Sequence, residues 1–244
     1  MLIEARDITM AFGAFKAVDG ASVTVEEGEI LGLIGPNGAG KSTFFNCLTG
    51  DLSPTAGTVH FAGADVTRDT PEQRAARGLV RSFQVPLTFE SMTLLDNVTI
   101  GALLRHPNTK DARAKARAVL ERVGLGRLAD TPARSLGTPG RKRLEIARAL
   151  ASEPKVLLLD EAMAGLTPTE VREAIELVRR IHGDGITIVI VEHIMEVITS
   201  LTRRVVVFHQ GREIARGTPR EVTSNPKVVE AYLGRRKVKH AEGT

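Results

Sequence analysis

The sequence holds few of the residues that staple or anchor a chain. Cys47 is the sole cysteine among 244 residues, so no disulfide forms within the chain and a reducing compartment is expected. No apolar run approaches the roughly 20 residues that span a bilayer, and the opening residues lack the basic-then-apolar pattern of a secretory leader. Internal repeats and low-complexity stretches are missing. So is the Asn-Lys-x-Asp motif that reads guanine, which argues against a GTPase. Net charge is modest at +4, with a pI near 9.5, which permits contact with nucleic acid or anionic lipid without requiring either. Much of the excess lies in Arg235-Arg236-Lys237-Val238-Lys239-His240, expected to be a solvated tail. The length suits one large α/β domain with space for a small inserted subdomain.

What is present is organised around Gly35-Pro36-Asn37-Gly38-Ala39-Gly40-Lys41-Ser42-Thr43. This stretch follows the apolar run Ile30 to Ile34 and precedes a segment, Thr43 to Leu48, that reads as a helix. Strand, glycine-rich loop and helix form the context that the phosphate-loop pattern requires. The glycines let successive N–H groups turn toward phosphate oxygens, and the helix adds the positive end of its dipole. Lys41 is expected to reach the β- and γ-phosphates of a nucleoside triphosphate, with the Ser42 hydroxyl on Mg²⁺. Cys47, one turn into that helix, reads as a small core hydrophobe.

Along the chain, β structure is predicted for Leu2 to Thr9, Ala21 to Val25 and Ile30 to Ile34. Phe12 and Phe15 fall between the first two strands, where an aromatic either stacks on a purine or packs at an edge. A short strand follows at Thr58 to Phe61, then a capping box at Thr70-Pro71-Glu72-Gln73, then another strand from Leu79 to Gln84. From Val85 to about Ala151 the texture is helical. In Asp111 to Val123 the residues Ala112, Ala116, Val119, Leu120 and Val123 share one face. Lys110, Arg113, Lys115, Arg117 and Arg122 surround it without interleaved aromatics, the pattern of a solvated face rather than a nucleic-acid grip. Strand character returns at Val156 to Asp160 and Ile186 to Val191, with a helix from Thr167 to about His182 between them. A hairpin is expected across His209-Gln210-Gly211, and Thr218-Pro219-Arg220-Glu221 opens the closing helices. This alternation argues for a mostly parallel sheet covered on both faces.

A second chemical signal ends the strand at Val156 to Leu159. Ligands in open α/β sheets sit beyond the carboxyl ends of strands, which places Asp160 to hold Mg²⁺ and Glu161 to take a proton from an attacking water. Gln84 and His193 each close a predicted strand. Gln84 is read as orienting water or metal, and His193 as a partner of the γ-phosphate.

Phosphate loop, Gln84, the Leu136 to Leu150 segment, Asp160-Glu161 and His193 occur in the order seen in ABC-transporter ATPase subunits, and the chain resembles that family over about residues 2–234. The resemblance aligns Gly35 to Thr43 with Walker A, Gln84 with the Q-loop glutamine and Val156 to Asp160 with Walker B. It aligns Glu161 with the catalytic base, His193 with the switch histidine and Phe12 with the adenine-stacking aromatic. It implies a P-loop NTPase fold, with a RecA-like core, an N-terminal antiparallel β subdomain and an inserted helical subdomain. The core would comprise residues 1–84 and 152–234, the helical insert about 85–151, and a basic tail 235–244.

Three stretches resemble the ATPases of branched-chain amino acid uptake systems: Gly78 to Gln84, Arg143 to Arg148 and Asn225 to Gly234. That resemblance implies an importer subunit using ATP and Mg²⁺ at the cytoplasmic face of the inner membrane. Its expected partners are transmembrane permeases, a second ATPase subunit in a head-to-tail dimer and, indirectly, a periplasmic or extracellular solute-binding protein. The rival readings are an exporter ATPase of the lipopolysaccharide type and a non-transport ABC ATPase acting on nucleic acid. The latter is disfavoured because neither a second cassette nor a long coiled coil is present.

Two stretches depart from the family. The signature loop Leu-Ser-Gly-Gly-Gln aligns with Leu136-Gly137-Thr138-Pro139-Gly140, where Gly137 lacks the hydroxyl and Pro139 lacks an N–H toward the γ-phosphate. The helix after it is expected to begin near Arg141. After Glu161 the usual Ser-Ala-Leu-Asp is Ala164-Gly165-Leu166-Thr167, with Thr167 read as a helix cap.

Overall fold

Apolar alternation at the start of the chain forms strands β1 (Ile3–Phe12) and β2 (Phe15–Val25), followed by β3 (Ile30–Ile34), helix α1 (Lys41–Thr49), β4 (Ala56–Phe61) and β5 (Ala64–Asp65). Next come α2 (Pro71–Arg77), β6 (Leu79–Arg81), α3 (Leu94–Ala102), α4 (Thr109–Arg122), α5 (Thr138–Ala151), β7 (Val156–Asp160) and α6 (Pro168–Gly183). The chain closes with β8 (Thr187–Val191), α7 (Met195–Leu201), β9 (Arg204–His209), β10 (Arg212–Gly217), α8 (Pro219–Ser224) and α9 (Pro226–Leu233). This computed structural model describes residues 1–82 and 88–233. Two compact units are formed, one from Met1–Pro71 with the chain from Thr187 onward, the other from Glu72–Ile186.

In the first unit β1 pairs antiparallel with both β2 and β4, and β5 adds to β4. Alternation along β1 breaks at Asp7, φ 50°, where a bulge turns the Asp7 N–H onto Ser22 Oγ at 2.8 Å. β3 lies between β8 and β9 and runs parallel to both, with Leu33 opposite Val191 on one side and Val206 on the other. Every residue of β3 and of β8 is buried, as parallel strands covered on both faces require. α1 buries Phe44, Phe45, Cys47 and Leu48, and the Phe44 ring meets Phe208 of β9 at 5.1 Å between centroids. At the other end of β3, Arg204 grips the Glu29 carboxylate with two bonds of 2.7 and 2.8 Å. Burial works to raise the Glu29 carboxyl, but Arg204 and the Glu26 backbone N–H outweigh it and hold the group below its ordinary value.

In the second unit β6 runs parallel to β7, Leu79 opposite Val156, and both lead toward functional candidates. α4 buries Ala112, Ala116, Val119 and Leu120, the face predicted from the sequence, and Asn108 caps it. Three of its cations sit in exposed ion pairs, Arg113 with Asp96, Lys115 with Glu153 and Arg122 with Asp184. α6 opens with the capping box expected at Thr167, as does α8 at Thr218.

One expected boundary is corrected, and one helix is added. α5 starts at Thr138 rather than near Arg141, because Pro139 sits in the first helical turn, where a missing N–H breaks no helical bond. Of the strand expected over Leu79 to Gln84, β6 covers Leu79 to Arg81 and the Ser82 N–H continues onto the Leu158 carbonyl at 2.8 Å, while Gln84 lies outside the described residues. α7 was not predicted: it is seven residues long and its N-cap, Ile194, offers no side-chain bond. The basic tail also lies outside the described residues. Among the described residues, no helix is long and apolar enough to cross a membrane.

Candidate functional site

The phosphate loop is built from backbone conformations that only glycine tolerates. Gly40 has φ 96°, and a methyl group there would enter the carbonyl oxygen of Ala17. Gly35 is equally confined, since a Cβ would strike the carbonyl of Phe208. Between them the Ala39 N–H bonds the Pro36 carbonyl at 3.1 Å, and the Ala39 carbonyl accepts the Gly211 N–H at 2.9 Å. The hairpin turn between β9 and β10 thus braces the loop from behind. Asn37 and Gly38 stand exposed at its crest, and Ser42 and Thr43 open toward solvent from the first turn of α1. That turn carries no acidic residue and no side-chain cap, so its positive end is left for an anion.

Lys41 is 7% exposed, and its ammonium donates to the carbonyls of Gly35 at 2.7 Å and Pro36 at 3.1 Å. A buried cation that already donates to neutral carbonyls at the loop is matched to incoming phosphate oxygens. Phe12 and Phe15 face one another across the end of the β1–β2 hairpin and are 51% and 66% exposed. Neither is consumed by edge packing, so a planar face is available to stack. His193 follows β8 by two residues and is exposed, while Glu192 beside it is buried. Because β8 is parallel to β3, His193 and the phosphate loop leave the sheet at the same, carboxyl, edge. One contact here had no sequence signal: burial pushes the Tyr232 phenol of α9 up, and a hydrogen bond from the Gly35 backbone opposes that shift.

The acidic pair lies in the second unit. All of β7 is buried, Asp160 included at 3% exposure. Arg81, at the end of β6, donates from Nη2 to Asp160 Oδ2 at 3.0 Å, an ion pair nearly closed to solvent. Glu161 takes φ 47°, a left-handed conformation that costs a non-glycine residue about 1–3 kcal/mol and collects at functional sites. Its carbonyl accepts the Lys142 ammonium at 3.2 Å and the Ala164 N–H at 3.1 Å. Thr167 is occupied as a cap, with its N–H on Glu170 Oε2 at 2.7 Å.

The aligned signature residues sit at the head of α5. Leu136 is buried, Gly137 is the N-cap with φ −70°, Thr138 is exposed, and Pro139 and Gly140 complete the first turn. Arg141 folds back to donate to the Leu136 carbonyl at 3.0 Å and pairs with Glu90. Among the described residues no three His, Cys, Asp or Glu side chains cluster to hold a metal. Mg²⁺ beside a nucleotide needs no such cluster, because substrate phosphates and one or two hard protein oxygens suffice.

The chain resembles known proteins over most of its length. The ABC transporter family model matches residues 18–164, and that of the branched-chain amino acid ATP-binding cassette transporter matches residues 212–238. The high-affinity branched-chain amino acid transport ATP-binding protein LivG of Salmonella typhimurium is 39% identical, across 96% of this chain and 98% of its own length. Its Pseudomonas aeruginosa counterpart BraF is 36% identical over the same shares. Among solved structures, a nucleotide-free ATP-binding cassette from an ABC transporter superimposes with a TM-score of 0.88 at 34% identity, covering 96% of this chain and 99% of that one. With matches of that extent, the chain belongs to the ABC transporter family, as one of its ATP-binding cassettes.

Proposed function

We propose that the chain binds and hydrolyses Mg·ATP to drive separate transmembrane permeases of an importer for branched-chain or related amino acids. The observation that carries the ATP reading is the phosphate loop, with glycine-only geometry, an uncapped helix start and a buried Lys41 held by neutral carbonyls. Support for the amino-acid class comes from the names of the relatives and the match at residues 212–238. The N–H groups from Gly35 to Thr43 bind the phosphates, Lys41 turns from its carbonyls to the β- and γ-oxygens, and Phe12 stacks on adenine. Ser42 and Asp160, with Gln84, hold Mg²⁺, which when bound neutralises charge on the triphosphate. Glu161 accepts the proton of the attacking water, while His193 and Gln84 contact the γ-phosphate.

A second ATPase subunit, identical or a sister, faces this one head to tail, and each lends Leu136–Gly140 to the other's γ-phosphate. The missing Gly137 hydroxyl and Pro139 N–H weaken unassisted closure, so turnover is slow until the permeases bind. The complex sits at the cytoplasmic face of the membrane and receives its solute from a periplasmic or extracellular binding protein. Exchange of Glu161 for glutamine is the direct test. Glu161→Gln should retain ATP in equilibrium binding while single-turnover hydrolysis slows about 10²–10⁴-fold; turnover within twofold of the parent would remove Glu161 from the base role. Uptake assays with copurified permeases across amino acids then test the solute class.

A further inference from the structure

We propose that Lys142 is a positioning residue that clamps the backbone of Glu161, so that the second turn of α5 sets where the general base stands. This rests on the reading of Glu161 as base. Glu161 is a non-glycine residue at φ 47°, and such a conformation persists only where its surroundings over-determine it. The Ala164 N–H is one constraint, closing a turn onto the Glu161 carbonyl at 3.1 Å. Lys142 supplies another from outside the turn, its ammonium reaching the same oxygen at 3.2 Å.

Burying an ammonium is unfavourable unless its protons are engaged, yet Lys142 is only 7% exposed where a leucine would pack without that penalty. Pro139 and Lys142 from α5 and Ala162, Met163 and Leu166 from the turn line one small cavity of about 20 Å³, so the two segments lie directly against each other. The loop Leu136–Gly140 heads the same helix. A shift of that loop can therefore reach Glu161 through the Lys142 side chain.

The test compares Lys142→Met, which keeps the length and removes the charge, with Lys142→Arg, which restores a donor, in the full chain. Lys142→Met should lower single-turnover hydrolysis about 10- to 100-fold, the loss that roughly 1 Å of misplacement causes. ATP affinity should stay within twofold, and amide exchange at Ala164 should quicken. Lys142→Arg should recover most of the rate. Unchanged hydrolysis and unchanged Ala164 exchange in Lys142→Met would overturn the proposal, as would a fall in ATP affinity matching the fall in rate. Should the methionine variant fail to fold, Lys142→Leu, which also lacks a donor, replaces it under the same criteria. Glu161→Gln run alongside separates the two readings. Full activity there refutes the base assignment and leaves the clamp to be decided by exchange alone, whereas an inactive Glu161→Gln beside a fully active Lys142→Met refutes only the clamp.

Discussion

The phosphate loop and the loop at Leu136–Gly140 are the same device made to different tolerances. Each delivers a polypeptide turn onto a helix start whose positive end faces outward, α1 in one case and α5 in the other. In the phosphate loop, Gly35, Gly38 and Gly40 all have positive φ, and at two of them backbone carbonyls occupy the space of any side chain. At Gly137 φ is −70° and the nearest atom to an added Cβ is Pro139 Cδ at 3.9 Å, while at Gly140 the neighbours are side-chain atoms of Leu136 at 3.1–3.4 Å rather than backbone. The ion pairs nearby differ likewise: Glu29–Arg204, at the far end of the strand that leads into the phosphate loop, is partly buried, whereas Arg141–Glu90 is largely exposed. Gly35 and Gly40, backed by carbonyls of the scaffold, leave no space for a side chain, while Gly137 leaves it.

Substitutions can break or sharpen this contrast. The largest effect is expected for Gly40→Ala, where overpacking against Ala17 and a strained φ together cost about 3 kcal/mol, read in denaturant unfolding, with ATP binding lost. A wild-type unfolding midpoint would show that the loop is no stiffer than its counterpart. Phe12→Ala should leave the unfolding midpoint alone, since the ring is half exposed, yet weaken ATP affinity about tenfold through lost stacking. Equal affinity would return Phe12 to the scaffold.

Arg204→Gln should destabilise the sheet end of the phosphate-loop strand by about 1 kcal/mol at neutral pH, allowing for solvent screening. Because the folded Glu29 carboxyl lies below its ordinary 4.5, its contribution is present above that value and is lost as pH falls through the lower folded one. The gap between variant and parent should therefore shrink below pH 4.5, and a gap that persists in acid would mean that packing, not charge, is at stake. Smallest of all, Gly137→Ser should change stability by less than about 0.5 kcal/mol and raise hydrolysis by restoring a hydroxyl. Marked destabilisation there would erase the distinction between the two loops.

Features carried by short-range chemistry were legible before any coordinates. The capping boxes at Thr167 and Thr218, the β9–β10 hairpin, the apolar face of α4 and the strand–loop–helix around Lys41 all follow from residues within a few positions of one another. α7 escaped because a short helix without a capping side chain leaves no local mark. The start of α5 was misplaced because Gly-Thr-Pro-Gly reads as loop, although proline is at home in a first turn. The Arg81–Asp160 pair spans 79 residues, and no periodicity announces it.

The linear order of residues was enough to declare a nucleotide-binding cassette, since phosphate recognition depends on backbone N–H groups and one lysine that lie within nine consecutive positions. Only the folded chain decided what surrounds those chemical groups. It put Ala17 and Phe208 behind the glycines, Arg81 against Asp160, Lys142 on the Glu161 carbonyl and Gly35 beside Tyr232. Those contacts join distant segments through burial and carbonyl geometry, interactions that come into being only when strands and helices pack, and so no local pattern encodes them.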